Sequence, residues 1–521
     1  MKLKASWRCL SIPFRRDTCW IHPGSKNRKV WRKILKIRTG LVLILLVLTL
    51  SLTTVALTQQ NSPTPAWTLT QTTTLQQPTQ KGMTITWGTE TQANTYNTSD
   101  QRYPSVSYFP DGSFVVAWDS WNQIGSYAED VFAKIFDSKG KNKTGDILVN
   151  TYYANNQDAV SVSCFPDGSG FVATWESYEQ EGNGYENGIY AKIFDSTGNP
   201  QTGDIHVNRD NILDDQMVPS VSCFPDGSFV VAWQSTHTGN WDVYFRLFNK
   251  TGNPQTGEIR VNTYTTGTQA GPSVSCFSDG SGFVVAWGGA STGDTSGVYA
   301  KVFNKAGNPQ TGDIQVNTYT TDTQAFPSVS CFPDGSGFVV TWQSNGQDGS
   351  LLGIYAKIFN STGQKQTGDM RVNTHISDNQ WVPSVSCFSD GSFVVVWQSK
   401  FQDGSWHGVY AKIFNSTGQN QTGEIRVNTN TTDNQWFPSV CCFSDRSFVV
   451  AWISVGQDGD GYGIFFRVGY LPALPSVFTL MVLFLMQQIG SIISMLPLLG
   501  GILAVAVVAG VLIFWRLRRR R

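Results

Sequence analysis

The chain has 521 residues, with 38 Lys and Arg against 38 Asp and Glu. Zero formal charge conceals a gradient: residues 1–40 hold twelve bases and one acid, and five Arg follow Trp515, which leaves 21 bases against 37 acids between them. A centre this acidic excludes nucleic acid as a partner, because phosphates need a positive surface, and the basic ends fit the cytoplasmic flanks of a membrane protein.

Taken in order, residues 1–40 are a basic arm expected in the cytoplasm. The apolar run 41–57, LVLILLVLTLSLTTVAL, is near the lower length limit for a span and reads as a signal anchor or, with cleavage near Ala56, a signal peptide. Residues 58–87 are rich in Thr, Gln and Pro, too poor in aliphatics to bury a core, and are expected to form an extended stalk.

A sevenfold repeat then occupies 88–470. Trp118, Trp175, Trp233, Trp287, Trp342, Trp397 and Trp452 mark equivalent positions 57, 58, 54, 55, 55 and 55 residues apart. In the fifth copy PSVSCF, FVVTWQS, GIYAKIFN and DMRVN read as four short strands, rich in β-branched and aromatic residues. They are separated by PDGS and STGQKQTG, turn sequences in which Pro sets φ or Gly supplies a positive one. Four antiparallel strands per copy, seven copies and no helical period predict an all-β fold, a seven-bladed β-propeller with flanking transmembrane helices. The seventh copy stops after its third strand, at Tyr470, while residues 90–94 match 424–428. The N-terminal strand is therefore expected to complete the last blade and close the ring, which removes the exposed sheet edges.

Beyond the repeats, 471–497 is an apolar juxtamembrane segment broken by Gln487 and Gln488, 498–515 is a cleaner transmembrane helix, and 516–521 is an Arg-rich cytoplasmic tail. Two spans with bases beyond both put the propeller on the extracellular side of the cell membrane. Both tethers leave from the face carrying the PDGS hairpins, so the opposite face, where strands two and three are joined, points away from the membrane.

On that membrane-distal face the copies diverge, and variable loops on a repeated scaffold are where binding is built. The candidate ligand-binding residues there are Trp121, Tyr178, Tyr185, Trp241, Trp406 and Tyr462, with Trp381 and Trp436 in the loops that enter blades. Their faces suit sugar rings or a protein partner. The seven tryptophans of the repeat are expected to pack blades together. The third-strand bases, such as Lys134 and Lys192, are expected to pair with turn acids such as Asp111 or Asp167. The Gln and Asn of every copy, such as Gln101 and Asn94, are expected to bond loop backbone. Six cysteines recur once per copy and read as small buried residues, not a disulfide ladder, with Cys441 unexplained. Asp458 and Asp460 are weak calcium candidates; the run around them lacks the late acid of a calcium loop, so no metal site is assigned and, calcium aside, no cofactor is expected. Scarce histidines, scattered arginines and no nucleophile motif argue against an enzyme.

Residues 372–414 carry almost whole the pattern VNTxTxxxQxxPSVxxxxDGxFVVxWQSxGQDGSGxGIYAxxF, which resembles the repeats of large bacterial surface and secreted proteins. The resemblance spans the whole repeat region and implies a surface-located, adhesin-like or scaffolding role without a transferable chemistry. The nonapeptide calcium repeats that often accompany it are missing here, and the C-terminal apolar stretch with its Arg cluster also resembles a processed sorting signal. The reading is a membrane-anchored binding module for a glycan or protein. A surface polysaccharide hydrolase and a structural envelope component are the alternatives.

Overall fold

The computed structural model describes residues 83–472, apart from 126, 181, 183–185 and 209–213. The basic arm, both apolar segments, most of the stalk and the Arg tail lie outside the described residues, and among those described no helix is long and apolar enough to cross a membrane.

Seven antiparallel sheets make seven blades. Blade one comprises Gln101–Tyr108, Phe114–Trp121, Glu129–Phe136 and the two-residue strand Ile147–Leu148, and blades two to six repeat this order. The first strand of each blade contacts the first strands of both neighbours, including blade seven with blade one, so it is innermost and the ring is closed. In blade seven the outer position is filled from the N-terminus, as the repeat alignment predicts: Thr91–Gln92 pairs with Phe466 and Phe465. Thr86–Trp87 extends this edge, pairing with Tyr470 and Gly469.

The core lies between blades. Seven clusters of buried apolar side chains each span two neighbouring blades, and the seven tryptophans are among the most deeply buried residues, at most 1% exposed. The indole N–H of Trp175 donates to Gln157 Oε1 at 3.1 Å, and those of Trp233 and Trp287 bond equivalent glutamines. The indole N–H of Trp342 has no partner. Trp175→Phe should therefore cost about 1 kcal/mol more than Trp342→Phe, since only the former breaks a buried hydrogen bond. Equal losses in paired denaturant titrations would contradict this.

Polar seams run around the ring. In each innermost strand the first Ser of SVS accepts a backbone N–H from the next blade: Ser105 from Val162 at 3.1 Å, and so on to Ser439, which closes the circle by accepting Val106 N–H at 3.3 Å. The second Ser does the same toward the cysteine position, as Ser107 does with Cys164 N–H at 2.9 Å. Blade seven has Cys441 at that place, and its sulfur receives the Tyr108 N–H. This accounts for the extra cysteine. All seven described cysteines are free, and burial pushes the thiols of Cys223 and Cys387 up to about 12.

Four of the five third-strand lysines form ion pairs, but with a different acid from the one expected. Lys134, Lys192, Lys301 and Lys357 meet Asp146, Asp204, Asp313 and Asp369, which open their own fourth strands, at 3.1, 3.1, 2.9 and 2.6 Å. The same carboxylates accept the backbone N–H and hydroxyl of a Thr in the preceding blade, as Asp146 does from Thr95 at 2.9 Å. Asp111 and Asp167 pair instead with Lys143 and Lys250. Two residues past every fourth strand stands a buried Asn that accepts a backbone N–H of the third strand. Asn94 Oδ1 accepts Ile464 N–H at 2.8 Å while its Nδ2 donates to Tyr96 O at 2.7 Å.

Candidate functional site

Each innermost strand begins with a bulge at the end of the channel where strands two and three are joined. In blade one the register slips between Arg102 and Ser105, and the same slip recurs in the other six. The extra residue has a positive φ: Tyr103, Ala159, Val218, Gly271, Phe326, Val382 and Phe437, at 48° to 62°. Only one of the seven is glycine, so six carry the cost of a left-handed backbone, on the order of 1–3 kcal/mol each. Several of these side chains are exposed around the channel mouth, Tyr103 at 43%, Val218 at 40% and Phe326 at 56%.

A bulged residue leaves its N–H unpaired within the sheet. In five of the seven blades the residue after the repeat tryptophan of the preceding blade accepts it. Asp119 Oδ2 takes Ala159 N–H at 2.8 Å, Glu176 Oε1 takes Val218 N–H at 2.6 Å, and Gln234 Oε1 takes Gly271 N–H at 2.8 Å. Gln343 and Gln398 do likewise for Val382 and Phe437, at 3.2 and 2.8 Å.

The rim divides into three chemical sectors, set by the residue after the repeat Gln and by its register partner after the repeat Trp. Blades one and two bring carboxylates together. Asp119 faces Arg102, and Asp158 faces Glu176. Asp158 also shares hydrogen bonds with Glu129 and Glu176. Burial raises all four carboxyl pKa values, that of Asp158 to about 7 and that of Glu176 to about 8. Arg102 engages Glu129 at 3.3 Å and Asp100 at 2.5 Å. Folding assembles this cluster, because antiparallel pairing within each blade and the contact of Asp119 with the first strand of blade two bring the acids together.

Blades six, seven and one form an aromatic arc. Trp381 lies 5.0 Å from the His407 ring, His407 5.9 Å from Trp436, and Trp436 6.3 Å from Phe437 and 5.7 Å from Tyr462. Phe437 meets Tyr103 edge-on at 5.1 Å. Trp381 and Trp436 sit within innermost strands, Gln380–Cys387 and Gln435–Cys442, and not in the entering loops where the sequence placed them. Trp406 stands beside the arc, 53% exposed and 5.6 Å from Phe401. Trp121, at the end of a second strand, Tyr178 in blade two and Trp241 in blade three are not in the arc, and Tyr185 lies outside the described residues.

Between these sectors, at blades three to six, the mouth holds a cavity of about 680 Å³ lined by Val218, Gly271, Gly288, Phe326 and Val382. A second hollow of about 330 Å³ shares Phe326 and Val382 with it and ends at Trp381 and Phe437. The calcium candidates do different work: Asp458 Oδ2 receives Nε2 of Gln92 at 3.3 Å and Nδ2 of Asn94 at 3.4 Å, and Asp460 Oδ2 receives Ser99 N–H at 3.1 Å. Both acids thus hold the N-terminal segment in blade seven. Among the described residues no three His, Cys, Asp or Glu side chains converge as metal ligands.

No protein-family model and no curated protein matches this chain. Among solved structures, a Dyadobacter fermentans protein of unknown function is similar over 74% of this chain and 99% of its own, at 9% identity and a TM-score of 0.46. A Penicillium chrysogenum alpha-L-arabinanase complexed with arabinobiose gives 74%, 98%, 13% and 0.42 for the same measures. The polysaccharide lyase Uly1 gives 73%, 91%, 9% and 0.44. Likeness at this level carries nothing about chemistry, and the blade count rests on the strand pairing alone.

Proposed function

We propose that the chain is a carbohydrate-binding module whose site is the channel mouth, carried outside the cell by the apolar segments 41–57 and 498–515. The observation that carries this reading is the aromatic arc running from Tyr103 through Phe437 and Trp436 to Trp381, beside an open cavity. Ring faces take the C–H faces of sugars, and the neighbouring carboxylates and amides accept hydroxyls. The rim acids Asp119 and Glu176 already cap bulge amides, which favours binding over turnover.

The test is the full-length chain on a glycan array. Trp381→Ala should weaken any hit at least about tenfold, an effect of about 1.4 kcal/mol, whereas Trp121→Ala should leave it unchanged. A blank array would end this reading. Hydrolysis is the second reading, favoured by the raised carboxyls of Asp158 and Glu176. Release of new reducing ends from the bound glycan, abolished by Asp158→Asn with binding kept, would establish it instead.

A further inference from the structure

The capping of bulge amides fails at two of the seven blades. In blade one the preceding position is Ile453, which is 2% exposed and accepts nothing, and Tyr103 packs on Phe437. In blade five the preceding position is Gly288, where Gln, Glu or Asp stands in five other copies. No side chain of the described residues accepts the Phe326 N–H, and the space a glutamine would fill belongs to the 680 Å³ cavity.

Neither crowding nor backbone conformation demands glycine here. A Cβ at Gly288 would meet only Ala270 O at 3.7 Å and the Ala325 Cα at 4.0 Å, ordinary contacts, and Gly288 is not among the positive-φ glycines. Gly289 differs: a Cβ there would strike Gln269 Oε1 at 2.0 Å. What the glycine at 288 supplies is room for a group from outside, next to an uncapped amide.

The group that fits is the one the other blades build in. A glutamine side chain ends in a carboxamide whose carbonyl oxygen accepts the bulge N–H, as Gln234 does at 2.8 Å. We propose that the cavity binds the acetamido group of an N-acetylated amino sugar. Its carbonyl oxygen accepts the Phe326 N–H, and its methyl group lies among the apolar walls contributed by Val218, Ala325, Pro327 and Val382. A plain hydroxyl at the same sugar carbon leaves the cavity unfilled and the wall desolvated without gain, so discrimination is built in. The remaining sugar rings extend along the second hollow toward Trp381 and Phe437. This inference rests on the carbohydrate-binding reading and narrows it to a substrate class.

The experiment is calorimetric titration of the full-length chain with the β-1,4 tetramers of N-acetylglucosamine and of glucose, which differ only at the second carbon of each ring and are both uncharged. The acetylated tetramer is expected to bind at least tenfold tighter. Gly288→Gln restores the repeat's own cap, should keep or raise the melting temperature, and should erase that preference. Saturation-transfer NMR on the unaltered protein provides a readout that needs no variant: the acetyl methyl protons should take up the strongest saturation. Equal affinity for the two tetramers, or saturation spread evenly over the rings, overturns the acetamido assignment while leaving carbohydrate binding standing. Failure of both tetramers and of every array glycan overturns the two together.

Discussion

A chain lacking residues 83–94 should lose several kcal/mol of stability and expose the third strand of blade seven, Tyr462–Tyr470, to rapid amide exchange. The segment is built in deeply for so short a piece, with Ala93 at 0% and Asn94 at 4% exposure. Its removal leaves Ile464 N–H without Asn94 Oδ1, Val468 O without Gly88 N–H and the Arg467 guanidinium without Gly88 O. It also deletes Glu90, which accepts the Thr429 hydroxyl at 2.7 Å and Gln457 Nε2 at 2.7 Å and so ties blade six to blade seven. Each buried group left unpaired costs about 1–3 kcal/mol, against a total stability of roughly 5–15 kcal/mol. Guanidinium titration with amide exchange at Ile464 and Phe466 checks the outcome. An unchanged midpoint would mean that the innermost serine seam closes the ring unaided.

The unfolding midpoint should rise as the medium is acidified from about pH 8.5 to about pH 5.5. Ordinary carboxylates titrate near 4, but Asp158 titrates at about 7 and Glu176 at about 8, chiefly because burial disfavours their charge, and Asp119 and Glu129 are shifted the same way. Between those values the folded state holds more protons than the unfolded one. The stabilisation is therefore complete below the unfolded value and is lost as pH climbs through the folded ones. Arg102 is the cation facing this group, and it is committed to Asp100 and Glu129; Asp215 adds further negative charge beside Glu176. Across the pair the change is on the order of 5 kcal/mol. Asp158→Asn removes one titrating group and relieves Glu176, so it should flatten the profile. The turn aspartates Asp167 and Asp226, lowered to about 2 by hydrogen bonds to lysines, act only in more acidic media, and their exposure screens them. A midpoint that is flat or that climbs toward alkaline pH would refute the assignment.

The closure of the ring was legible because it is a one-dimensional fact. Blade seven lacks a strand and residues 90–94 have the text of one. Trp118 and its equivalents were legible as packing for the same reason, since a residue kept in seven copies serves what the copies share. Lys134 shows where this stops. Its acid, Asp146, is twelve residues on, but it was chosen over Asp111 by strand pairing and by the reach of Thr95 from the neighbouring blade. The serines of SVS gave no sign that they face the next blade.

What the sequence determined by itself is the scaffold, because strand pattern, turn chemistry and period are local properties that survive without coordinates. What only the tertiary structure decided is the rim. Arg102 falls opposite Asp119, Asp158 meets Glu176, and Gly288 leaves Phe326 uncapped because antiparallel pairing and inter-blade contact bring together positions about 20 to 40 residues apart. Two variable positions per copy, one after Gln and one after Trp, look like noise along the chain. Folded into a ring they become a charged sector, a hollow one and an aromatic one, since a closed propeller turns the differences among its repeats into neighbours around a single mouth.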